Sequence, residues 1–171
     1  MKGATLAYKI VENCIGCTAC TKRCPTGAIS GVRDSLHMID PRLCIDCGAC
    51  GVVCPPEAIV DDLGDVCRTF PRKEAPVAKI IEENCIGSGC ELCINVCPFE
   101  ALSLQDSPNN HDFYGISTVD PRKCTGCRLC ESACGWSAIY IDPPREMLKK
   151  KIFPVEILTP KTGKGLQRAR A

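Results

Sequence analysis

Sixteen of the seventeen cysteines fall into four blocks, and their spacing carries the clearest chemistry in the sequence. Cys14, Cys17, Cys20 and Cys24 are set C-x2-C-x2-C-x3-C. Cys44, Cys47, Cys50 and Cys54 repeat that spacing, as do Cys124, Cys127, Cys130 and Cys134. The remaining block, Cys85, Cys90, Cys93 and Cys97, differs only in its first gap, where Ser88 and Gly89 add two residues. An iron–sulfur cubane takes four thiolates, one to each iron. Two-residue gaps let one loop wrap such a cube and deliver three of them. The loop must approach the inorganic sulfides closely, which suits the small residues Gly16, Thr18, Ala19, Gly48, Ala49 and Gly126. Zinc is the structural alternative, but its sites usually show two separated C-x2-C pairs. Each block here is a triplet plus one.

In the third block, three residues before Cys90 lies Gly87, which cannot ligate iron. The first ligand is therefore expected to be Cys85, reached through a longer loop. Ser88 and Gly89 are small enough to bulge without moving the sulfur. The block is expected to be intact, with altered hydrogen bonding around its cluster; the competing expectation is a lost or three-iron cluster.

The blocks pair into a tandem repeat. VENCIGCTACTKRCPTGAIS matches IEENCIGSGCELCINVCPFEALS, and IDPRLCIDCGACGVVCPPEAIVDD matches VDPRKCTGCRLCESACGWSAIYID. The second copy carries an insertion, SPNNHDFYG at 107–115, rich in turn residues and read as a surface loop. Extended runs are expected at 6–11, 28–32, 36–39, 79–82, 102–104, 116–119 and 139–141. Short helical turns are expected between the third and fourth cysteines of each block. They end at the proline that follows Cys24, Cys54 and Cys97, which has no N–H to donate. The stretch 70–76 reads as the linker between halves.

These CxxCxxCxxxCP blocks make 8–142 resemble two bacterial ferredoxins of the two-[4Fe-4S] type in tandem. The resemblance implies an α+β fold: two ferredoxin-like domains with small antiparallel sheets and short helices, at 1–73 and 74–144, then a C-terminal tail at 145–171. It implies four [4Fe-4S] clusters with the family's cross-ligation, in which the fourth cysteine of a block serves the other cluster of the pair. Cys14, Cys17, Cys20 and Cys54 would hold one cluster, and Cys44, Cys47, Cys50 and Cys24 the second. Cys85, Cys90, Cys93 and Cys134 would hold the third, and Cys124, Cys127, Cys130 and Cys97 the fourth. Gly135-Trp136 stands where the family has proline after the last cysteine.

Bulk composition agrees with a fold held by metal. Apolar residues make up 45%, roughly 35% without the cysteines, and aromatics 5%, which is a thin core for two small domains. No secretory signal is apparent at the start and no apolar run reaches the ~18–20 residues of a membrane span. A cytoplasmic location is expected, where reducing conditions favour metal over disulfides. Residues 145–171 hold eight Lys/Arg against two Glu, whereas the preceding residues hold thirteen against eighteen. The tail's apolar run at 152–158 would suit an arm lying on another subunit, and nucleic-acid binding is disfavoured.

Cys67 stands outside the blocks and is read as an unligated thiol in the linker. His37 and His111 are isolated, and neither is expected to be a ligand. Trp136 is expected to pack against a cluster or a partner. There is no phosphate loop, no nucleophile paired with a base, and no flavin or nicotinamide signature, so the chain itself is not read as an enzyme. The expected role is an electron-transfer subunit of an oxidoreductase complex. In length and cluster number it resembles the small subunits of tungsten or molybdenum enzymes, such as aldehyde oxidoreductases and tungsten benzoyl-CoA reductases. A flavin subunit, a ferredoxin or a second copy of the chain are further candidate partners. Alternatives are a free polyferredoxin, a subunit of a hydrogenase, formate dehydrogenase or carbon monoxide dehydrogenase, and a cluster-dependent regulator or nucleic-acid binder.

Overall fold

The computed structural model describes residues 7–106 and 115–150. In the first half, strands β1 (Lys9–Ile10), β2 (Ile29–Ser30) and β3 (Met38–Ile39) precede helix α1 (Ala49–Val52) and strands β4 (Ile59–Val60) and β5 (Val66–Cys67). The second half runs β6 (Val77–Ile80), α2 (Leu92–Asn95), β7 (Leu102–Gln105), β8 (Ile116–Val119), α3 (Leu129–Ala133) and β9 (Ile139–Asp142). A 3-10 turn at Arg145–Leu148 leads into β10 (Lys149–Lys150). These are small antiparallel sheets and a few short helices, consistent with tandem ferredoxin-like domains.

The repeat in sequence is a repeat in pairing. In each half the first and last repeat strands close the unit, β1 on β4 with Ile10 opposite Ile59, and β6 on β9 with Ile80 opposite Ile139. A hairpin between the two blocks forms the other sheet, β2 on β3 with Ile29 opposite Ile39, and β7 on β8 with Leu102 opposite Val119. Along β9 successive side chains alternate between core and solvent, as the period of two requires, whereas in β8 Ile116 and Ser117 are both buried. The inward residues join the cysteines in two cores. Tyr8, Ile29, Ala58 and Ile59 pack with Cys20, Cys50 and Cys54; Ala78, Leu102, Ile139 and Ile141 pack with Cys93 and Cys130.

Helical turns do lie between the third and fourth cysteines, at Thr21–Arg23 in the first block and in α1, α2 and α3 in the others. Their brevity follows from the next cysteine and its turn, which leave room for one turn only.

Three strands were not visible in the residue pattern. β4 pairs with β5, and β5 pairs with β10, with Cys67 opposite Lys149. Together with β1 they make a four-stranded sheet in the first half. Cys67 is therefore not a linker residue. It is 2% exposed in the first core, where a Cβ on Gly51 would lie 2.3 Å from its own Cβ. Burial, and then Asp61, push its thiol up to about 12, so it stays protonated and inert.

The segment read as the start of the tail folds back across the first half. Arg145 pairs with Asp46, Lys149 with Asp61, and Lys150 with Glu57. Asp61 is fully buried, and its Oδ1 also accepts from the N–H groups of Leu63 at 3.0 Å and Asp65 at 2.8 Å. Burial works to raise its pKa, but the Lys149 ammonium and these N–H groups outweigh it and hold the carboxyl low. Leu148 is buried, with its Cδ1 against Gly48. The rest of the expected arm, 151–171, and most of the insertion, 107–114 with His111, lie outside the described residues.

Candidate metal centres

Each of the four loops turns by the same backbone device. Two left-handed residues flank the second cysteine's approach: Gly16 and Thr18, Asp46 and Gly48, Gly87 and Glu91, Gly126 and Arg128. The non-glycine members accept strain that only a tightly specified loop sustains. In the third block the extra Ser88 and Gly89 fall between these two positions, in a 3-10 turn at Gly87–Gly89. The added length is absorbed there, and Cys90, Cys93 and Cys97 keep their places. A third left-handed residue follows every fourth cysteine by three: Gly27, Glu57, Glu100 and Ser137.

That last turn aims a backbone N–H at sulfur. Ala28 donates to Cys24 Sγ at 3.2 Å, Ala58 to Cys54 at 3.2 Å, Ala101 to Cys97 at 3.4 Å and Ala138 to Cys134 at 3.3 Å. All four donors are alanines and all are buried. Ala28 and Ala138 also line the cavities beside them. The sequence contains this signal as an alanine four residues after each block, and motif spacing alone did not single it out.

The cysteines line four cavities, four to each. Cys14, Cys17, Cys20 and Cys54 share the first with His37 and Ile15. Cys24, Cys44, Cys47 and Cys50 share the second with Tyr8 and Gly48. Cys85, Cys90, Cys93 and Cys134 share the third with Ser117 and Trp136. Cys97, Cys124, Cys127 and Cys130 share the fourth with Thr125 and Arg128. In every case three cysteines of one block meet the fourth of its partner block. Among the described residues no two cysteines are joined in a disulfide.

Burial raises the pKa of these thiols: Cys20 and Cys47 to about 11, Cys130 to about 12, and Cys50 well above its ordinary value. Neighbouring cysteines add to the effect, Cys54, Cys14 and Cys17 around Cys20, and Cys127, Cys24 and Cys44 around Cys47. Sulfurs gathered this closely out of water become thiolates when a cation shares the cavity, so metal binding releases protons and stabilises the fold. The donor set of each cavity, four thiols with N–H groups directed at sulfur and apolar walls, fits an iron–sulfur cubane.

The halves meet at two of these cavities. Burial first, and then Cys127 of the fourth cavity among other cysteines, raise the pKa of Cys47 in the second. Arg23 Nη1 donates to the Cys124 carbonyl at 3.1 Å, from between Cys20 and Cys24.

Models of the 4Fe-4S dicluster domain match residues 13–59 and, in a second version, 43–101 and 84–138. The chain belongs to the 4Fe-4S dicluster family. It is an iron–sulfur, ferredoxin-type electron-transfer protein, and its two dicluster units carry four [4Fe-4S] clusters. This dicluster chain is 48% identical over 64 residues to "Ferredoxin 7Fe" of Hydrogenibacillus schlegelii, covering 37% of this chain and 72% of that one. It is 33% identical over 152 residues to the methylamine utilization ferredoxin-type protein MauM of Methylophilus methylotrophus, covering 78% of this chain and 65% of the relative. It is 52% identical over 133 residues to a subunit of the ion-translocating oxidoreductase complex of Methanosarcina acetivorans, covering 75% of this chain and 46% of that one. The chain spans from a third to just under two thirds of the length of the first curated relatives it matches. Among the described residues no helix is long and apolar enough to cross a membrane.

Two residues outside the cysteine blocks line these cavities, His37, which the sequence reading set aside, and Trp136. His37 is 1% exposed and lines the first cavity. Trp136 lines the third cavity, as expected of a residue packed near a cluster, yet remains 57% exposed. The repeat holds a signal for His37: it stands three residues before Asp40, as Ser117 stands three before Asp120.

Proposed function

We propose that this chain relays single electrons within an oxidoreductase complex, with catalysis in a partner subunit. When bound, each [4Fe-4S] cluster supplies one-electron exchange. The ligand sets are the four cavity sets: Cys14, Cys17, Cys20 and Cys54; Cys24, Cys44, Cys47 and Cys50; Cys85, Cys90, Cys93 and Cys134; Cys97, Cys124, Cys127 and Cys130. The observation that carries the relay is the hydrogen bond across the halves from Arg23, beside Cys24 of the second cavity, to the carbonyl of Cys124 of the fourth. It makes the second and fourth cavities neighbours and leaves the first and third as the outer members of the series. The chain's part is to hold the centres in that order, to direct N–H groups at their sulfurs and to keep water from them.

The outer cavities are bordered by exposed apolar side chains, Ile15 at the first and Ile86, Leu92 and Trp136 at the third. These edges are the proposed docking points for redox partners. The arm at 151–171, apolar at 152–158 and otherwise basic, is proposed to grip the partner. Membership of a named complex among the relatives supports an assembly; none of those cited is a tungsten or molybdenum enzyme, and the partner is proposed here simply as an oxidoreductase. A cytoplasmic site is proposed from the cysteine chemistry.

The test is an anaerobic coulometric titration of the purified chain followed by EPR. The relay takes up about four electrons per chain, one for each cluster. Uptake of about two, or a chain whose second and fourth clusters show no magnetic interaction when both are reduced, would contradict it.

A further inference from the structure

We propose that Arg128 and Arg145 are positioning residues for the electron step between the halves: with Pro143 and Asp46 they form a bridge that sets the second cluster against the fourth. This rests on the relay order proposed above.

The bridge starts beside a cysteine of one cavity and ends beside a cysteine of the other. Arg128 follows Cys127 of the fourth cavity, and its Nη2 donates to the Pro143 carbonyl at 3.4 Å. Pro143 and Pro144 come directly after β9, and their rings fix φ and stiffen the connection. Arg145 then pairs with Asp46, which precedes Cys47 of the second cavity. The path from Cys127 to Cys47 therefore runs through covalent bonds and two side-chain contacts. Arginine stays protonated and donates at every nitrogen, so neither contact waits on a change of charge in its donor.

Both ends of the bridge are held. Arg128 Nη1 donates to Glu131 Oε2 at 2.9 Å, and Glu131 Oε1 accepts from the Ile141 N–H at 3.2 Å, which ties the guanidinium to α3 and β9. On the other side Leu148, three residues after Arg145, is buried. A Cβ on Gly48 would lie 3.0 Å from Tyr8 Oη and 3.8 Å from Leu148 Cδ1. The segment after Arg145 thus seats on the same loop, Asp46 to Gly48, that carries Cys47. Asp46 and Arg128 are themselves left-handed members of their loops, so the bridge grips each loop where its backbone is most tightly specified. Arg23 ties the same two cavities by a separate path, through the Cys124 carbonyl at 3.1 Å. One tie leaves two bodies free to pivot, and a second fixes their orientation. Neither Arg128 nor Arg145 is a ligand here.

The experiment uses the full chain, prepared anaerobically as wild type, Arg145→Met, Arg128→Met, the double variant, Arg145→Lys and Lys150→Met. Iron and sulfide are measured first, then the magnetic interaction between the reduced second and fourth clusters by EPR, with the interactions inside each half as internal reference. The interaction between the halves is expected to weaken to the same extent in Arg145→Met, Arg128→Met and the double variant, because the two arginines act in series within one network. The iron content and the interactions inside each half hold. Arg145→Lys, which keeps one donor toward Asp46, lies between wild type and Arg145→Met. Lys150→Met, which breaks the neighbouring pair with Glu57 alone, keeps the wild-type interaction. An unchanged interaction in iron-replete Arg145→Met, or a double variant in which the two losses add, overturns the proposal. If either Met variant loses iron, the other and Arg145→Lys decide in the same way. A wild type with no interaction between the halves is a distinct failure: it overturns the relay order, and the bridge with it.

Discussion

The two halves gather their cysteines in the same way and differ in what surrounds them. The first half has a four-stranded sheet completed by β5 and β10, a buried Cys67 and the Lys149–Asp61 pair. The second half has two two-stranded sheets and an exposed Trp136 over its third cavity. Where the first half places His37 and Gly48 at its cavities, the second places Ser117 and Arg128. Arg128 is fixed there by Glu131 at 2.9 Å, while Glu131 also accepts from the Ile141 N–H at 3.2 Å. The sets of four cysteines recur in both halves, and the halves differ in the side chains that line the cavities beside them.

The largest effect tests whether the halves really share cross-ligation. Cys54→Ala should remove about four irons, those of the cluster bound by Cys14, Cys17 and Cys20 far upstream in sequence. Iron analysis with EPR of the remaining centres checks it; loss of the Cys44–Cys50 cluster instead would dissolve the equivalence of the halves.

Next comes the strand that makes the first half different. Lys149→Ala leaves the Asp61 carboxylate buried without its cation and should destabilise the first half by roughly 3–5 kcal/mol. Because Asp61 is held below its ordinary value near ~4, the pair's contribution is complete above that value and is lost as pH falls through the lowered one. Denaturation monitored through each half's clusters should show the first weakened and the second untouched. Truncation after Pro144 should do the same, while truncation after Lys150 should spare folding and weaken partner binding alone.

A smaller effect concerns the core beneath β5. Gly51→Ala drives a methyl into Cys67 and should cost about 1–3 kcal/mol, read as a lower denaturation midpoint. Cys67→Ser should leave the iron content unchanged, since the thiol lines none of the four cavities. The smallest effect is expected at the block that looks most altered. Deleting Ser88 and Gly89 should retain every iron and shift only the potential of the third cluster, because the flanking left-handed turns at Gly87 and Glu91 already match the other loops. Loss of iron would show that the longer loop is needed to seat Cys85.

The blocks, the tandem repeat and most strands were legible because they recur: a spacing kept in three blocks and changed only in the first gap of the fourth cannot be an accident of composition, and Asp40-Pro41-Arg42 fixed the register against Asp120-Pro121-Arg122. β4, β5 and β10 were not. Two residues such as Val66–Cys67 carry no periodicity, and β10 finds its partner far upstream in sequence. The same limit hid Cys67, whose solitude suggested a linker although its neighbours Gly51 and Lys149 are distant in sequence. His37 was passed over because the blocks lacked no ligand, and a side chain that lines a cavity without ligating leaves no gap in the spacing.

The most direct measurement is the iron and acid-labile sulfide content of the anaerobically purified chain. Four complete ligand sets predict about sixteen of each per chain. A value of about twelve, one cubane short, would contradict four intact sets. A loss centred on Cys85, Cys90, Cys93 and Cys134 would show that the altered block no longer holds a cubane.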